Sequence, residues 1–355
     1  MVKNSWIERI SSDDDFFELG GHSLLALRVM LAIEKQIGKR LPLALLFENS
    51  TIEKLARLIE TDEKAIRWDS FVSIKATGNK IPIYFIHGAG LNVLTFRSIS
   101  KYLDSDQPVY GLQAKGLNGK DEPLNKMEEI ASHYIAEILR HNPRGPYALA
   151  GYSFGGLIAF EMAKQLKAMG KKIVMLGIFD TFAEQSNKDD SVIKKIVTKI
   201  SDFFRKVWCT FVLMADEPLF ILKFRVRSMI KRTRLLIEKL NPVKKPKDPN
   251  DFYVYAEKII NNLHKAALDY KLTPYDGTID LFRAKRKTYY LPDFEYYGWK
   301  PFALRGVNIH EVPGDHAEIF NSPNVEELAK VLQACLDKAN NLADVDSKVN
   351  LLRAV

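Results

Sequence analysis

The chain has 355 residues, of which 46% are hydrophobic and 27% charged, ordinary proportions for a globular protein with one small and one larger domain. The net charge of +8 comes from residues 183–271, where 19 Lys and Arg stand against 11 Asp and Glu; no nucleic-acid-binding motif accompanies it, so nucleic acid is not a predicted partner. No apolar run approaches the roughly 18 to 20 residues of a membrane span, and the N-terminus lacks a signal peptide's apolar stretch.

The sequence contains two cysteines, Cys209 and Cys335. Their separation matches no metal-binding spacing, and two thiols alone give no disulfide framework. The cysteine content therefore predicts no structural disulfide and no metal site, and it favours a reducing cytoplasm as the location.

Residues 1–62 predict a small helical domain. Ser23 begins an amphipathic helix that Gly38 ends, and Thr51 caps a later helix. Only a stub around Trp6 represents the helix expected before Asp13, so either this unit is incomplete or the chain is a fragment of something longer. Residues 63–80 are polar and turn-rich, which suits a linker.

Ser23 lies in the motif Leu19-Gly20-Gly21-His22-Ser23-Leu24. No cluster of basic, acidic or metal-ligating residues lies next to it, so Ser23 is a poor nucleophile candidate in its own right. Its place at a helix start, after two glycines, makes it approachable by another protein. The spacing alone fits equally an N-cap serine that only satisfies backbone N–H groups.

From residue 81 to about residue 340, short apolar runs alternate with helical segments. This alternation predicts a parallel sheet with helices on both faces. The last helix is expected over Val325 to Ala339, followed by a flexible tail over residues 341–355. The predicted strands are Ile81 to Ile86, Pro108 to Ala114, Tyr147 to Tyr152, Ile173 to Asp180, Thr278 to Arg283 and Asn308 to Val312.

Residues 183–271 interrupt the alternation with amphipathic helical sequence. A helical insertion between two strands of a sheet has the form of a lid over the active site. The alternative is a helical subdomain that only buttresses the sheet. The positive charge of this insertion is compatible with an acidic partner domain, an anionic membrane or plain solvation.

The second reactive-serine motif is Gly151-Tyr152-Ser153-Phe154-Gly155. It follows an apolar strand and precedes a helix, which is the context in which G-x-S-x-G marks a nucleophile. Ser153 then projects from a sharp turn above the sheet. A serine hydroxyl still needs a base to take its proton.

His316 is the candidate base, because it follows the last strand and the order of serine first and histidine last is typical of α/β-hydrolases. Asp180, at the end of the strand after the serine motif, is the favoured acid, with Asp293 as the fallback; Asp315 is expected to shape its loop. The predicted oxyanion donors are the N–H groups of Phe154 and Ala89. We expect His87 to shape the loop that carries Ala89.

The stretch from Asp13 to about Glu60 resembles the peptidyl carrier domain of nonribosomal peptide synthetases. The resemblance rests on the run Phe16-Phe17-Glu18-Leu19-Gly20-Gly21-His22-Ser23-Leu24. It implies that Ser23 receives a 4′-phosphopantetheine arm from a separate phosphopantetheinyl transferase. The chain departs from the family in its shortened first helix.

Residues from Ile81 to about Ala339 resemble the type I thioesterase domains that end such synthetases. The shared features are the serine motif, Asp180, the helical insertion, Leu281-Phe282-Arg283-Ala284, Gly298-Trp299 and Pro313-Gly314-Asp315-His316. They imply an α/β-hydrolase fold with a helical lid insertion, preceded by a small all-α carrier domain, and a triad of Ser153, Asp180 and His316. The insertion is longer and more basic than expected for the family, so the product type stays open.

The two resemblances together predict a module that accepts an acyl or peptidyl thioester from upstream synthetase domains and releases it by hydrolysis or cyclisation. A stand-alone lipase or esterase keeps the triad but has no use for the carrier motif. A thioesterase of a hybrid polyketide–peptide synthase is a further alternative. A carrier with a decayed hydrolase would have lost a triad residue, and none is lost in this sequence.

Overall fold

The computed structural model describes residues 10–60, 68–183, 252–288 and 290–353, together with residues 218, 219, 221–223, 225, 226, 229, 230 and 233. Apart from these few residues between 218 and 233, residues 184–251 of the predicted lid therefore lie outside the described residues, and so does Cys209.

The carrier unit contains three helices: α1 (Ser23–Ile37), α2 (Leu45–Glu48) and α3 (Ile52–Glu60). Gly38 ends α1 in the left-handed conformation (φ 71°), as its sequence position predicts. The Thr51 hydroxyl accepts a hydrogen bond from the Lys54 N–H at 3.2 Å, which confirms Thr51 as the cap of α3. The helices enclose a small apolar core that contains Ala26, Met30, Leu41, Leu43, Leu46 and Leu55.

The larger unit is built on a seven-stranded sheet with the order β1-β3-β2-β4-β5-β6-β7. Every neighbouring pair is parallel except β1 and β3. This arrangement confirms the predicted parallel sheet. Its strands are β1 (Phe71–Lys75), β2 (Ile83–Ile86), β3 (Val109–Leu112), β4 (Tyr147–Tyr152), β5 (Ile173–Phe179), β6 (Ile279–Ala284) and β7 (Val307–Val312).

Helices cover both faces of the sheet, and each face has its own apolar core. The helices are α4 (Phe96–Ser100), α5 (Met127–His141), α6 (Phe154–Ala168), α7 (Phe252–Asp269) and α8 (Asn324–Arg353). Buried side chains of α5, α6 and α7 share one core, and those of α4 and α8 share the other. The central strands β2 and β4 are buried on both faces and therefore consist almost wholly of apolar residues and glycine.

Helix α7, which lies within the predicted lid, packs against the helices that cover the sheet. Its residues Ile259, Leu263 and Ala266 are buried in the core that α5 and α6 also line. The hydroxyl of Tyr270, just after α7, donates a hydrogen bond to Glu161 on α6 at 2.6 Å. Helix α7 thus packs against the helices that cover the sheet, as expected if this part of the insertion supports the sheet.

Strand β1 corrects the predicted linker. Residues 71–75, assigned to the linker by their polar surroundings, form an edge strand antiparallel to β3, with Phe71 opposite Leu112. The run Phe71-Val72-Ser73-Ile74-Lys75 alternates between the two faces of the sheet, with Phe71 packed on one core and Val72 and Ile74 on the other. A five-residue strand between turn residues is a weak signal, so the flanking polarity concealed it.

Helix α8 corrects the predicted tail. The helix expected to end at Ala339 continues to Arg353, into residues 341–355. The sequence from Asn340 to Arg353 contains neither glycine nor proline, so no residue there ends the helix. Among the described residues, no helix is both long and apolar enough to span a membrane.

Candidate active site

Ser153 lies on a sharp turn between β4 and α6. Its backbone has φ 54° and ψ −122°, a strained conformation for a residue with a side chain. Two hydrogen bonds hold the turn: the Ser153 N–H donates to the Phe179 carbonyl at 3.0 Å, and the Thr181 hydroxyl donates to the Ser153 carbonyl at 2.6 Å. A side chain at Gly156 would collide with Thr181, so only glycine lets α6 approach this closely.

The structure brings the three predicted residues Ser153, His316 and Asp180 together. His316 Nε2 lies 3.1 Å from Ser153 Oγ, and His316 Nδ1 lies 2.7 Å from Asp180 Oδ2. The His316 side chain is 32% exposed, whereas Asp180 is 3% exposed. This geometry lets His316 take a proton from the serine on one side while a buried carboxylate orients it on the other.

Asp180 is kept ionised in a buried position by the groups around it. Burial alone would raise its pKa, but hydrogen bonds from His316 and from the Ala284 N–H, at 2.8 Å, outweigh that effect and hold the pKa below its usual value. A carboxylate in this state stabilises the imidazolium that forms when the serine is deprotonated.

Sequence reasoning missed Tyr297 and Lys287, which connect to the same carboxylate. The Tyr297 hydroxyl donates to Asp180 Oδ1 at 3.2 Å, and Lys287 Nζ donates to that hydroxyl at 2.7 Å. Tyr297 is 1% exposed and has a left-handed backbone, with φ 51°. Burial lowers the pKa of Lys287 to about 8. The strained, buried tyrosine indicates that its surroundings fix the hydroxyl in place.

Trp299, in the Gly298-Trp299 pair, anchors the segment that follows Asp180. Its indole Nε1–H donates to the Thr181 carbonyl at 2.7 Å, and the side chain is fully buried. The Ala183 N–H donates to the Tyr297 carbonyl at 2.8 Å. Residues 181–183, which follow Asp180, are therefore bound to residues 297–299, and these contacts fix the position of Asp180.

The loop after β2 lies against the serine. A Cβ added at Gly88 would come within 3.5 Å of the Ser153 Cβ, so the backbone of this loop borders the reacting atom. Ala89 is exposed in the same turn, and Phe154 begins α6, where the first N–H groups have no intrahelical acceptor. The two predicted oxyanion donors thus lie on the two segments that flank Ser153.

His87 shapes the loop, as its sequence position predicts. It is fully buried; its Nδ1 lies 2.7 Å from the Gly88 carbonyl and its Nε2 lies 2.8 Å from the Tyr134 hydroxyl. Burial lowers the pKa of His87 to about 4, so the ring is neutral at neutral pH.

The remaining acid candidates have structural partners of their own. Asp293 accepts hydrogen bonds from the N–H groups of Glu295, Tyr296 and Gly298. Asp315 accepts one from the Ala317 N–H at 2.9 Å and so shapes its loop. Asp180 is therefore the carboxylate that reaches His316.

Ser23 is the first residue of α1 and follows the extended residue His22. No side chain caps the N-terminus of α1, and its first turn carries no acidic residue. A helix start of this kind offers unsatisfied N–H groups to a phosphate. The site therefore fits a phosphodiester attached at the helix start.

The carrier unit contacts the larger domain beside α4. The Arg97 guanidinium lies 4.0 Å from the centre of the Phe17 ring and 3.9 Å from Asp15. Lys101 forms an ion pair with Glu18 at 2.9 Å. Leu94, just before α4, is buried in the core of the carrier unit. The segment before the Gly-Gly-His-Ser motif is thus in contact with the hydrolase unit.

Residues 81–336 match the thioesterase domain family. The chain belongs to this family. Residues 7–59 match the phosphopantetheine attachment site family, so the unit before the thioesterase domain is a carrier for covalent 4′-phosphopantetheine. Both matches agree with the two resemblances read from the sequence.

Curated relatives of the thioesterase and its carrier are large synthetases. The chain is 28% identical to the malpibaldin synthetase of Mortierella alpina over 94% of its own length and 6% of that protein. It is 28% identical to an atromentin synthetase of Serpula lacrymans over 95% of its length and 36% of that protein. The chain thus spans about a third or less of these relatives.

Solved structures show the same fold. A four-domain nonribosomal peptide synthetase bound to AMP and glycine is 27% identical, with a TM-score of 0.58 over 92% of this chain and 25% of that one. The NocB thioesterase domain, captured in a covalent complex, has a TM-score of 0.51 at 18% identity, over 75% of this chain and 99% of that one. The thioesterase therefore has the predicted α/β-hydrolase fold.

Proposed function

We propose that the chain is the release module of a synthetase: it holds an acyl or peptidyl thioester on the arm at Ser23, transfers the acyl group to Ser153 and releases it by hydrolysis or cyclisation. One observation carries this proposal. A carrier unit and a serine hydrolase with Ser–His–Asp geometry occur in one chain and contact each other. A hydrolase of free esters has no use for such a carrier.

Ser23 is the proposed attachment residue. It begins α1 after Gly20-Gly21-His22, in the unit that matches the attachment-site family. The bound phosphopantetheine supplies the thiol that carries the acyl chain. The uncapped N–H groups of α1 favour the negative charge of the phosphodiester at this position.

Acyl transfer begins when Ser153 Oγ attacks the acyl carbonyl and gives its proton to His316 Nε2, 3.1 Å away. Asp180 stabilises the resulting imidazolium through the 2.7 Å contact to Nδ1. The N–H groups of Ala89 and Phe154 stabilise the negative oxygen of the tetrahedral intermediate, a contribution of about 3 kcal/mol for each donor. His316 then protonates the departing thiolate, which leaves Ser153 as an ester.

The second half-reaction uses the same groups in reverse. A water molecule, or an amine or hydroxyl of the product itself, loses its proton to His316 as it attacks the Ser153 ester. The attack forms a second tetrahedral intermediate. When it collapses, His316 returns the proton to Ser153 Oγ, and the product leaves as an acid or a ring. Ring closure requires a pocket that folds the chain and keeps water out.

The proposed partners follow from the size of the relatives. Since this chain matches only a part of these synthetases, upstream synthetase domains are the proposed donors of the acyl group. A phosphopantetheinyl transferase is proposed to load Ser23. The cysteine content keeps the cytoplasm as the expected location.

The test is to load the chain with a phosphopantetheinyl transferase and a synthetic acyl-coenzyme A, and to follow intact mass. We expect Ser153→Ala to accumulate the acyl-loaded chain, and the native chain to gain and then lose the acyl mass. Ser23→Ala should accept no load but still hydrolyse a diffusible acyl thioester. If the native chain and Ser153→Ala hold the acyl mass equally long, the proposal fails.

A further inference from the structure

Three side chains of the kinds that bind transition metals converge between the sheet and α8. Asp280 lies on β6, His310 on β7 and Cys335 on α8, and one potential ligand atom of each lies within 4.8 Å of the others. This is the one such group found among the residues that the structure describes. The residues are far apart in sequence, so their spacing gives no metal motif.

The fold explains how they meet. Asp280 lies two residues before Phe282 on β6, so the two side chains point to the same face of the sheet. His310 is the partner of Phe282 on the neighbouring parallel strand β7. Phe282 is buried in the core beneath α8, so Asp280 and His310 point to the same face of the sheet. Cys335 packs against that core from α8. The three side chains thus meet where the core under α8 reaches a groove with polar lining.

Two of the three separations between the ligand atoms are close to those of tetrahedral coordination, and the third, between Asp280 and Cys335, is no more than 4.8 Å. His310 Nε2 lies 3.0 Å from Asp280 Oδ1 and 3.5 Å from Cys335 Sγ. Zinc bonds of roughly 2.0–2.1 Å to nitrogen and oxygen and 2.3 Å to sulfur place such atoms roughly 3.3 and 3.6 Å apart in a tetrahedron. An ion pair between Asp280 and His310 accounts for the first contact and a hydrogen bond that involves sulfur for the second, whereas one shared metal ion accounts for both.

The surroundings supply the other requirements of a metal site. Asn308 donates a hydrogen bond to Asp280 Oδ1 at 3.0 Å and so orients the carboxylate, as outer partners of metal ligands do. The Asp280 and His310 side chains are 17% and 23% exposed, and all three ligands line a groove open to solvent, which can provide a water as fourth ligand.

The charges are compatible with a divalent ion. The groove also carries Lys330 and Lys338, but a carboxylate and a thiolate neutralise the ion, so the site adds no net positive charge.

We propose that Asp280, His310 and Cys335 form a three-ligand site for Zn²⁺ that fastens α8 to strands β6 and β7. A thiolate and an imidazole together favour Zn²⁺ over Mg²⁺ or Ca²⁺, which prefer oxygen ligands. The site is structural. It lies on the face covered by α8, whereas Ser153, Asp180 and His316 follow the carboxyl ends of their strands, so it does not depend on the proposed function.

The test uses Co²⁺ as a spectroscopic substitute for zinc. The full chain, reduced and stripped with a chelator, is titrated with Co²⁺ and then with Zn²⁺. We expect one Co²⁺ per chain, a thiolate-to-cobalt charge-transfer band with tetrahedral visible bands, and loss of these bands when Zn²⁺ displaces the cobalt. Added Zn²⁺ should also raise the Tm of the native chain.

Variants separate this site from incidental binding. Cys335→Ser should abolish the charge-transfer band, and Asp280→Asn or His310→Asn should weaken Zn²⁺ binding at least about 100-fold, because loss of an outer partner alone costs about 10- to 100-fold. Cys209→Ser and His264→Asn are matched controls that should leave the band unchanged. Labelling of Ser153 by a fluorophosphonate, or circular dichroism, shows that each variant folds. A native chain without the band, or a band that survives Cys335→Ser, overturns the proposal.

Discussion

Removal of the Tyr297 hydroxyl should slow the chemical step while leaving the fold intact. In Tyr297→Phe the ring still fills its buried position, but Asp180 Oδ1 loses the donor at 3.2 Å, and Lys287 Nζ loses one of its two acceptors, at 2.7 Å, and keeps the Ala284 carbonyl. Asp180 keeps its contacts with His316 and with the Ala284 N–H. The variant therefore weakens the support of the carboxylate without removing it.

The structure sets the size of the effect. A hydrogen bond to a charged group contributes about 1.5–3 kcal/mol, and the 3.2 Å length with two remaining donors favours the lower end. If that energy is expressed in the transition state, where the imidazolium forms, each 1.36 kcal/mol corresponds to a factor of ten. We expect kcat to fall about tenfold and KM to stay within about twofold, since the hydroxyl is buried and acts on Asp180.

The assay is thiol release from a diffusible acyl thioester, which bypasses the carrier. Tyr296→Phe is the matched control, because that neighbouring ring lies under Lys300 at 4.7 Å and has no bond to Asp180. Its kcat should stay within about twofold of the native value.

A double-mutant cycle tests whether the Tyr297 hydroxyl acts through Asp180. In the background of Asp180→Asn, the additional change Tyr297→Phe should have little effect, because the hydroxyl acts through the carboxylate. Full additivity of the two losses, or an unchanged kcat in folded Tyr297→Phe, would refute the reasoning.

Three further predictions concern the triad, the carrier contact and acid stability. Asp180→Asn should lower kcat about 10⁴-fold in the same thioester assay, because the amide favours the wrong imidazole tautomer. Arg97→Gln should slow release from acyl-loaded Ser23 several-fold and spare the diffusible thioester, since a cation–π contact contributes about 0.5–2 kcal/mol. Lys101→Gln removes only an exposed ion pair of the same contact and should have a smaller effect; equal effects of Arg97→Gln on both substrates would contradict the prediction. Because the unfolded His87 binds a proton below about pH 6.5 whereas the folded pKa is about 4, the free energy of unfolding should fall by about 3 kcal/mol over that range. Urea titrations should show a smaller fall in His87→Gln.

Local sequence signals were enough to predict the position of the nucleophile. The elbow at Ser153 depends on a strand, a turn and glycines that are adjacent in the chain, so G-x-S-x-G carries its own structural context. The roles of His316 and Asp180 could be predicted because each residue comes directly after a strand. Parallel strands bring their carboxyl ends to one edge of the sheet, where such residues meet. Their mutual distances agree with that expectation.

The supporting contacts could not be predicted in the same way. Lys287 and Tyr297 lie in a connection without a periodic pattern, and their relation to Asp180 depends on how that connection folds back over β6. The convergence of Asp280, His310 and Cys335 depends on strand register and on which face of α8 meets the sheet. Neither is encoded in a spacing along the chain.

The short connection between α3 and the core of the larger unit limits how far the carrier unit can move. Between Glu60, the end of α3, and Trp68, which packs against the main core, there are eight peptide steps. Even a fully extended backbone covers at most about 29 Å over that number. This short tether keeps the carrier unit beside the thioesterase domain. Under the proposed function, the domains that load Ser23 must therefore approach both units together.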